Sequence, residues 1–323
     1  MKKILGSVAL AAMATASPVF ADTYPDQAVT LVVPYGPGGA SDLAGRALAE
    51  VAPEYLGQPV TVMNKPGAGG MNGARSVTEA DADGYTLLLA RVGMALSPAV
   101  TPGNAVPHDA YTFLGALEAT PMILAVRADA PYDSVDDLIA AIRDSNGAMT
   151  YAASGATAID GFTTQALLAD SDLDPLTAAT LVPYKGGGAL ATALLGGHVD
   201  FVAMAAGSLM PHIASGDMKP LMVFAPQRMD ALPEVATASE LGFEKAGQIA
   251  GWSALYGPKD LPAEVIETWD GVLGQVAQND QWQELADRRG SISTIGTVEM
   301  ADYAQSQYDL FHDMAVEFGY LPQ

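Results

Sequence analysis

The sequence contains no cysteine, which removes disulfides, thiolate nucleophiles, cysteine-ligated zinc and iron–sulfur clusters together. It is also poor in positive charge. Only 15 Lys+Arg stand against 37 Asp+Glu, a net charge of −22 over 323 residues. A nucleic-acid binder needs clustered Lys and Arg to displace counterions from phosphate, so that class is excluded. An anionic membrane surface repels this chain for the same reason. The four histidines, His108, His198, His212 and His312, are scattered without metal-ligand spacing, so neither a metal nor any other cofactor is expected. No G-x-x-x-x-G-K-[ST] occurs, and no G-x-G-x-x-G falls in register, which argues against a nucleotide. What is present is a half-apolar chain punctuated by 33 Gly and 21 Pro. That composition describes a turn-rich globular protein with core enough for about two domains.

Residues 1–21 read as a secretory signal peptide. Lys2 and Lys3 supply the positive start, Ile4 to Ala16 is a short apolar stretch, and Val19-Phe20-Ala21 offers a cleavage site after Ala21. A membrane anchor needs roughly 20 apolar residues, more than this stretch holds. The expected product is exported and periplasmic, and loss of two lysines makes it still more acidic.

The remaining chain alternates short apolar, β-branched runs with helical patterns, the signature of an α/β protein. Strands are expected at Thr30–Pro34, Pro59–Met63, Tyr85–Ala90, Met122–Val126, Thr150–Ala153, Thr180–Pro183, Val199–Ala203, Pro220–Phe224 and Trp252–Tyr256. Helices are expected from Ser41, with Leu43, Ala47, Leu48, Val51 and Tyr55 on one face, and from Asn72 to Ala80. Others are expected at Ser134–Ser145, Phe162–Ala169, Gly188–Leu195, Ala263–Asn279, Gln281–Arg289 and Val298–Phe318.

Two glycine clusters each follow a strand and precede a helix. The first runs Tyr35-Gly36-Pro37-Gly38-Gly39-Ala40-Ser41-Asp42; the second includes Gly67-Ala68-Gly69-Gly70. Glycine lets the backbone approach a ligand closely, and a helix start offers unpaired N–H groups at the positive end of its dipole. Such loops hold an anion without a positive side chain, at the strand ends where open α/β sheets bind ligands. Ser154-Gly155-Ala156-Thr157 and Tyr184-Lys185-Gly186 repeat the pattern mid-chain. Asp42 is read first as a residue of the helix's opening turn, where an acid complements the dipole.

Several segments carry a family resemblance. They are Tyr24-Pro25, Val33-Pro34-Tyr35-Gly36-Pro37-Gly38-Gly39 with Asp42 and Arg46, and Asn64-Lys65-Pro66-Gly67-Ala68-Gly69-Gly70. Further along stand Asp83-Gly84-Tyr85-Thr86-Leu87, Val182-Pro183-Tyr184-Lys185-Gly186 and Leu195-Gly196-Gly197-His198-Val199-Asp200. In order, these closely resemble the Bug family, the periplasmic solute receptors of tripartite tricarboxylate transporters. The resemblance implies a two-lobed, type II periplasmic-binding-protein fold with a ligand cleft between lobes. It divides the mature chain into a first lobe of 22–124 plus 250–323 and a second of 125–249. It also implies a monomeric receptor that takes a small organic carboxylate and delivers it to membrane permease subunits. Carried over, Tyr35, Gly36, Gly38, Gly39, Ala40, Ser41 and Asp42, with Gly67, Ala68, Gly69 and Gly70, would clasp one carboxylate, Ser41 donating its hydroxyl. Ser154, Gly155, Thr157, Tyr184, Lys185 and Gly186 would read the rest of the ligand.

The chain departs from the family where many members carry a His after the Ser-Gly loop, for it has Asp160-Gly161-Phe162 there. An acid that many members have after Val199-Asp200 is also missing from Phe201-Val202-Ala203-Met204. An ammonium group would want that acid, so the reading favours a mono- or dicarboxylate over an amino acid. Two other classes share the observations: a sensory input module for a membrane kinase, and a periplasmic hydrolase. No G-x-S-x-G frames Ser41 or Ser154, and no histidine is placed beside either, so a non-enzymatic receptor is expected. Long-range repulsion between a −22 chain and a carboxylate is screened beyond about 8 Å at physiological salt. Capture is therefore expected to rest on short-range N–H donors.

Overall fold

The computed structural model describes residues 24–322 except 39, 104, 226 and 298, so the expected signal peptide lies outside the described residues. Its strands are β1 (Val29–Val33), β2 (Val60–Asn64), β3 (Thr86–Arg91), β4 (Tyr111–Thr120), β5 (Met122–Arg127), β6 (Thr150–Ala153), β7 (Thr180–Pro183), β8 (Phe201–Ala205), β9 (Met218–Phe224), β10 (Gly251–Pro258) and β11 (Ile292–Ser293). The first helices are α1 (Ala40–Val51), α2 (Pro53–Leu56), α3 (Met71–Thr78), α4 (Gly93–Val100), α5 (Val135–Ser145) and α6 (Ile159–Asp170). They are followed by α7 (Gly187–Leu195), α8 (Ala206–Ala214), α9 (Glu244–Gly247), α10 (Ala263–Val276), α11 (Asp280–Arg288) and α12 (Met300–Glu317). A 3-10 turn, Ala68–Gly70, precedes α3.

Two separate sheets make the fold two-lobed. One has the strand order β11-β4-β10-β3-β1-β2, the other β7-β6-β8-β5-β9. In the first, β1 pairs in parallel with β2 and β3, while β10 runs antiparallel between β3 and β4. The period-2 alternation of a strand sends Leu31 and Val33 to one face, where they meet Leu48, Leu87, Leu89 and Leu255. Val32 faces the other way with Leu88, Ala90, Ala254 and Tyr256. Both faces are buried, which is why the strand reads as a continuous apolar run. Each such side chain contributes about 1.5–3 kcal/mol on leaving water.

The chain passes to the second sheet at Pro121, whose carbonyl accepts from Ala206 N at 2.9 Å, and returns at Gly251. Helix α12 straps both units. Its Phe311 and the following Phe318 pack against Phe162 of α6, with ring centroids 5.9 and 5.3 Å apart, while its Tyr303 meets Trp252 of β10 edge-on at 5.7 Å.

Five elements lie where the sequence reading places none: β4, β11, α4, α8 and α9. Gly115 and the charged Glu118 interrupt the apolar pattern of β4. Pro98 and Pro211, residues that usually end a helix, sit inside α4 and α8.

Candidate functional site

The first glycine loop is held from beneath by Asp42. Because α1 opens at Ala40, Ser41 and Asp42 turn inward and are buried. Asp42 accepts from Gly38 N, Asn64 Nδ2 and Arg46 Nε, each at 2.9 Å. Asn64, at the end of β2, also donates to the carbonyl of Tyr35 at 3.0 Å, so loop and strand are stitched together. The Arg46 hydrogen bond, helped by the Gly38 N–H and Asn64, pulls the Asp42 carboxyl down to about 2 despite its burial. Its oxygens are committed to the loop, and Ser41, the expected hydroxyl donor, is buried next to it in the chain. Gly39 lies outside the described residues.

The second glycine loop receives a side chain. A Cβ on Gly70, whose φ is +101°, would lie 3.0 Å from the Tyr35 ring and hydroxyl, and Tyr35 Oη also approaches Gly93. Tyr35 of the first loop therefore fills the space over the second, and burial pushes its phenol up against the opposing charge of Arg91. Gly70 thus packs against Tyr35, and Gly67, Ala68 and Gly70 are not part of the lining of the cleft described next.

The second unit repeats the brace. Asp160, buried in the first turn of α6, accepts from Ser154 N at 3.0 Å, Ser154 Oγ at 2.6 Å and Gly161 N at 2.9 Å. Here burial outweighs those bonds and raises the carboxyl. Gly155 and Thr157 are half-buried in the same loop, Tyr184 is half-buried against the second sheet, and Lys185 and Gly186 are exposed.

Between the sheets lies a cleft of about 390 Å³, within the size range of small-molecule sites. The first unit contributes Gly38, Ala40, Leu43, Arg91, Glu118, Thr120, Arg288, Arg289 and Ser291. The second contributes Ile159, Asp160, Gly187, Gly188, Leu190, Met204, Ala205, Gly207 and Ser208, with Met122 at the crossing. Of the expected site residues that are described, Gly38 and Ala40 line it directly. Ser154 reaches it through Asp160, and Gly186 through its neighbour Gly187. Leu43, expected on the buried face of α1, is instead exposed and forms part of the wall. A wider groove of about 820 Å³, lined by Gln227, Asp230 and Gln283 among others, touches none of the glycine loops.

The sequence reading missed Arg91, Glu118, Thr120, Arg289 and Ser291. Arg91 Nη2 donates to Thr120 Oγ1 at 2.7 Å, Thr120 Oγ1 lies 3.2 Å from Ser291 Oγ, and Arg289 Nη2 donates to Glu118 Oε2 at 2.8 Å. Capture by N–H donors without a positive side chain is thus an incomplete account, because arginines line the cleft, the largely buried Arg91 and Arg289 among them. These two come from positions 91 and 289, and only the fold brings them together.

The arrangement offers no reaction machinery comparable to its binding groups. Ser154 Oγ donates to a carboxylate rather than to a histidine. Among the described residues, no group of three or more His, Asp or Glu side chains could hold a metal ion. No helix among them is long and apolar enough to cross a membrane.

A family model described as the tripartite tricarboxylate transporter family receptor matches residues 44–306. A UPF0065 protein of Agrobacterium vitis is 35% identical over 282 residues, covering 87% of this chain and 78% of its own. Protein BugT of Bordetella pertussis is 30% identical over 293 residues, 89% of this chain and 88% of its own. The solved periplasmic binding protein BugD superposes with a TM-score of 0.78 at 25% identity, covering 93% of this chain and 100% of its own. The two-lobed fold, the cleft between its sheets and the match over most of the chain agree: this protein belongs to the family of tripartite tricarboxylate transporter receptors.

Proposed function

We propose that the protein is an extracytoplasmic receptor that binds one small mono- or dicarboxylate in the cleft and hands it unchanged to the permease subunits of a tripartite tricarboxylate transporter. The observation that carries this reading is the cleft itself: both units line it, its first-unit wall is cationic, and its second-unit wall opens on the start of α7 at Gly187 and Gly188. The anion is drawn by short-range donors and charge inside a strongly acidic molecule. The lobes of the working receptor are taken as 22–124 with 250–323 and 125–249, joined at Pro121 and before Gly251, with α12 lying across them. Closure rotates one lobe on the other about these crossings.

Thermal melting of the mature protein against C3–C9 mono-, di- and tricarboxylates tests the reading. A bound ligand at a hundred times its Kd adds about 2.7 kcal/mol to stability. At least one acid is expected to raise the melting temperature. A panel in which only sugars or cations do so contradicts the assignment.

A further inference from the structure

Arg91 and Arg289 meet through the sheet register. Ser253 of β10 pairs with Arg91 of β3 on one side and with Glu118 of β4 on the other, which sets the acid near the guanidinium. Arg289 reaches the same place from the end of α11. Glu118 lines the cleft between them with its side chain only 1% exposed, Oε2 on Arg289 and Oε1 3.9 Å from Arg91 Nη1. The two arginine side chains beside it are 15% and 11% exposed and line the same cleft.

One carboxylate therefore serves two guanidiniums, leaving one positive charge in excess. The hydrogen bonding is incomplete as well: Arg289 Nε and Glu118 Oε1 are buried with no partner among the described residues. Asp160, the other acid of the lining, does not make up the deficit, because its oxygens are taken by Ser154 and Gly161. Arg288 is paired with Glu284. A largely buried, unbalanced cation is costly, and an anion brought in from solution removes that cost. A guanidinium presents a planar fork of donors that fits a carboxylate.

We propose that Arg91 and Arg289, oriented by Glu118, bind one carboxylate of the ligand directly, so that the cleft selects a dicarboxylate over the matched monocarboxylate. The second carboxylate meets the glycine-lined end of the cleft at Gly38, Gly187 and Gly188. This rests on the carboxylate reading above and narrows it. Arg91 and Arg289 are the contacts; Glu118 is a positioning residue.

Calorimetric titration with matched pairs tests the inference: succinate against butyrate, glutarate against valerate, and adipate against hexanoate, at one fixed ionic strength. For the pair whose chain length fits, the diacid is expected to bind at least tenfold more tightly. Arg91→Gln and Arg289→Gln should each weaken the diacid more than the monoacid and bring that ratio close to one. Glu118→Gln, which loosens the hold on both guanidiniums, should reduce the diacid-to-monoacid ratio several-fold, whereas a merely structural ion pair would lower the melting temperature and leave that ratio unchanged. Equal binding of diacid and monoacid by the wild type overturns the inference without any variant, as does a preference that survives both arginine substitutions. Binding of none of the six acids overturns the carboxylate reading itself, and this inference with it.

Discussion

The two lobes brace their ligand-side loops with the same device and opposite electrostatics. Asp42 in α1 and Asp160 in α6 each sit in the first helical turn, buried, accepting backbone N–H bonds from the loop before them. Asp42 has Arg46 beside it and is held as an anion, whereas Asp160 has no cation within bonding distance and burial raises its carboxyl. The difference extends to the cleft walls. Arg91, Arg288 and Arg289 line the first-lobe side, while the second-lobe side is glycine, apolar residues and Ser208, its one acid, Asp160, being bonded back onto Ser154 and Gly161. A shared backbone plan thus supports a charged wall and a neutral one, and the charged wall is where selectivity is expected to reside.

Forcing the two walls apart is expected to have the largest effect. Gly207, at the start of α8, lies under the carbonyl of Arg289: a Cβ there would come within 2.4 Å of that oxygen, closer than real contacts allow. Gly207→Ala should displace the Arg289 segment from the second lobe at a cost of about 1–3 kcal/mol and weaken ligand binding tenfold or more, read by calorimetry. Wild-type affinity in this variant would show that the Arg289 contact is not part of the binding geometry.

A subtler pair sharpens the contrast between the braces. Asp42 has a depressed carboxyl, so its contribution is full above its ordinary value near 3.8 and disappears as pH falls through about 2. With screening at the half-exposed Arg46, that contribution is about 1–2 kcal/mol. The melting deficit of Asp42→Asn relative to wild type should therefore shrink on acidification. Asp160 has a raised carboxyl, so ionising it costs stability as pH rises from 3.8 through its elevated value. The deficit of Asp160→Asn should grow on acidification, because wild type regains the neutral acid. Melting curves from pH 7 to 3 on both variants decide the matter; parallel trends would erase the distinction.

The same contrast explains what could be read in advance. A run such as Thr30–Pro34 announces a buried strand because nearly every residue faces core, and glycine clusters after strands mark βα turns. Strand β4 hid because Glu118, the residue that orients the arginines, breaks its apolar pattern. The neutral wall was partly legible, since backbone-donor sites carry a local glycine signature. The charged wall was not: Arg91, Glu118 and Arg289 are far apart in the chain, and their meeting depends on β10 pairing with both β3 and β4. Tyr35 misled for a related reason, since no local pattern shows that its ring fills the second loop.

The central claim is that the cleft between the lobes is where a carboxylate binds, and Gly188 gives direct access to it. This residue lines the cleft within α7, and a Cβ built on it meets nothing within 4 Å, so a large side chain can be placed at the cleft wall without disturbing the fold. Calorimetric titration of wild type and Gly188→Phe with the acid giving the largest thermal shift should show saturable one-to-one binding in the first. The variant should show none detectable, with its ligand-free melting temperature within about 2 °C of wild type, a shift of less than roughly 1 kcal/mol. Undiminished binding by Gly188→Phe would contradict the claim.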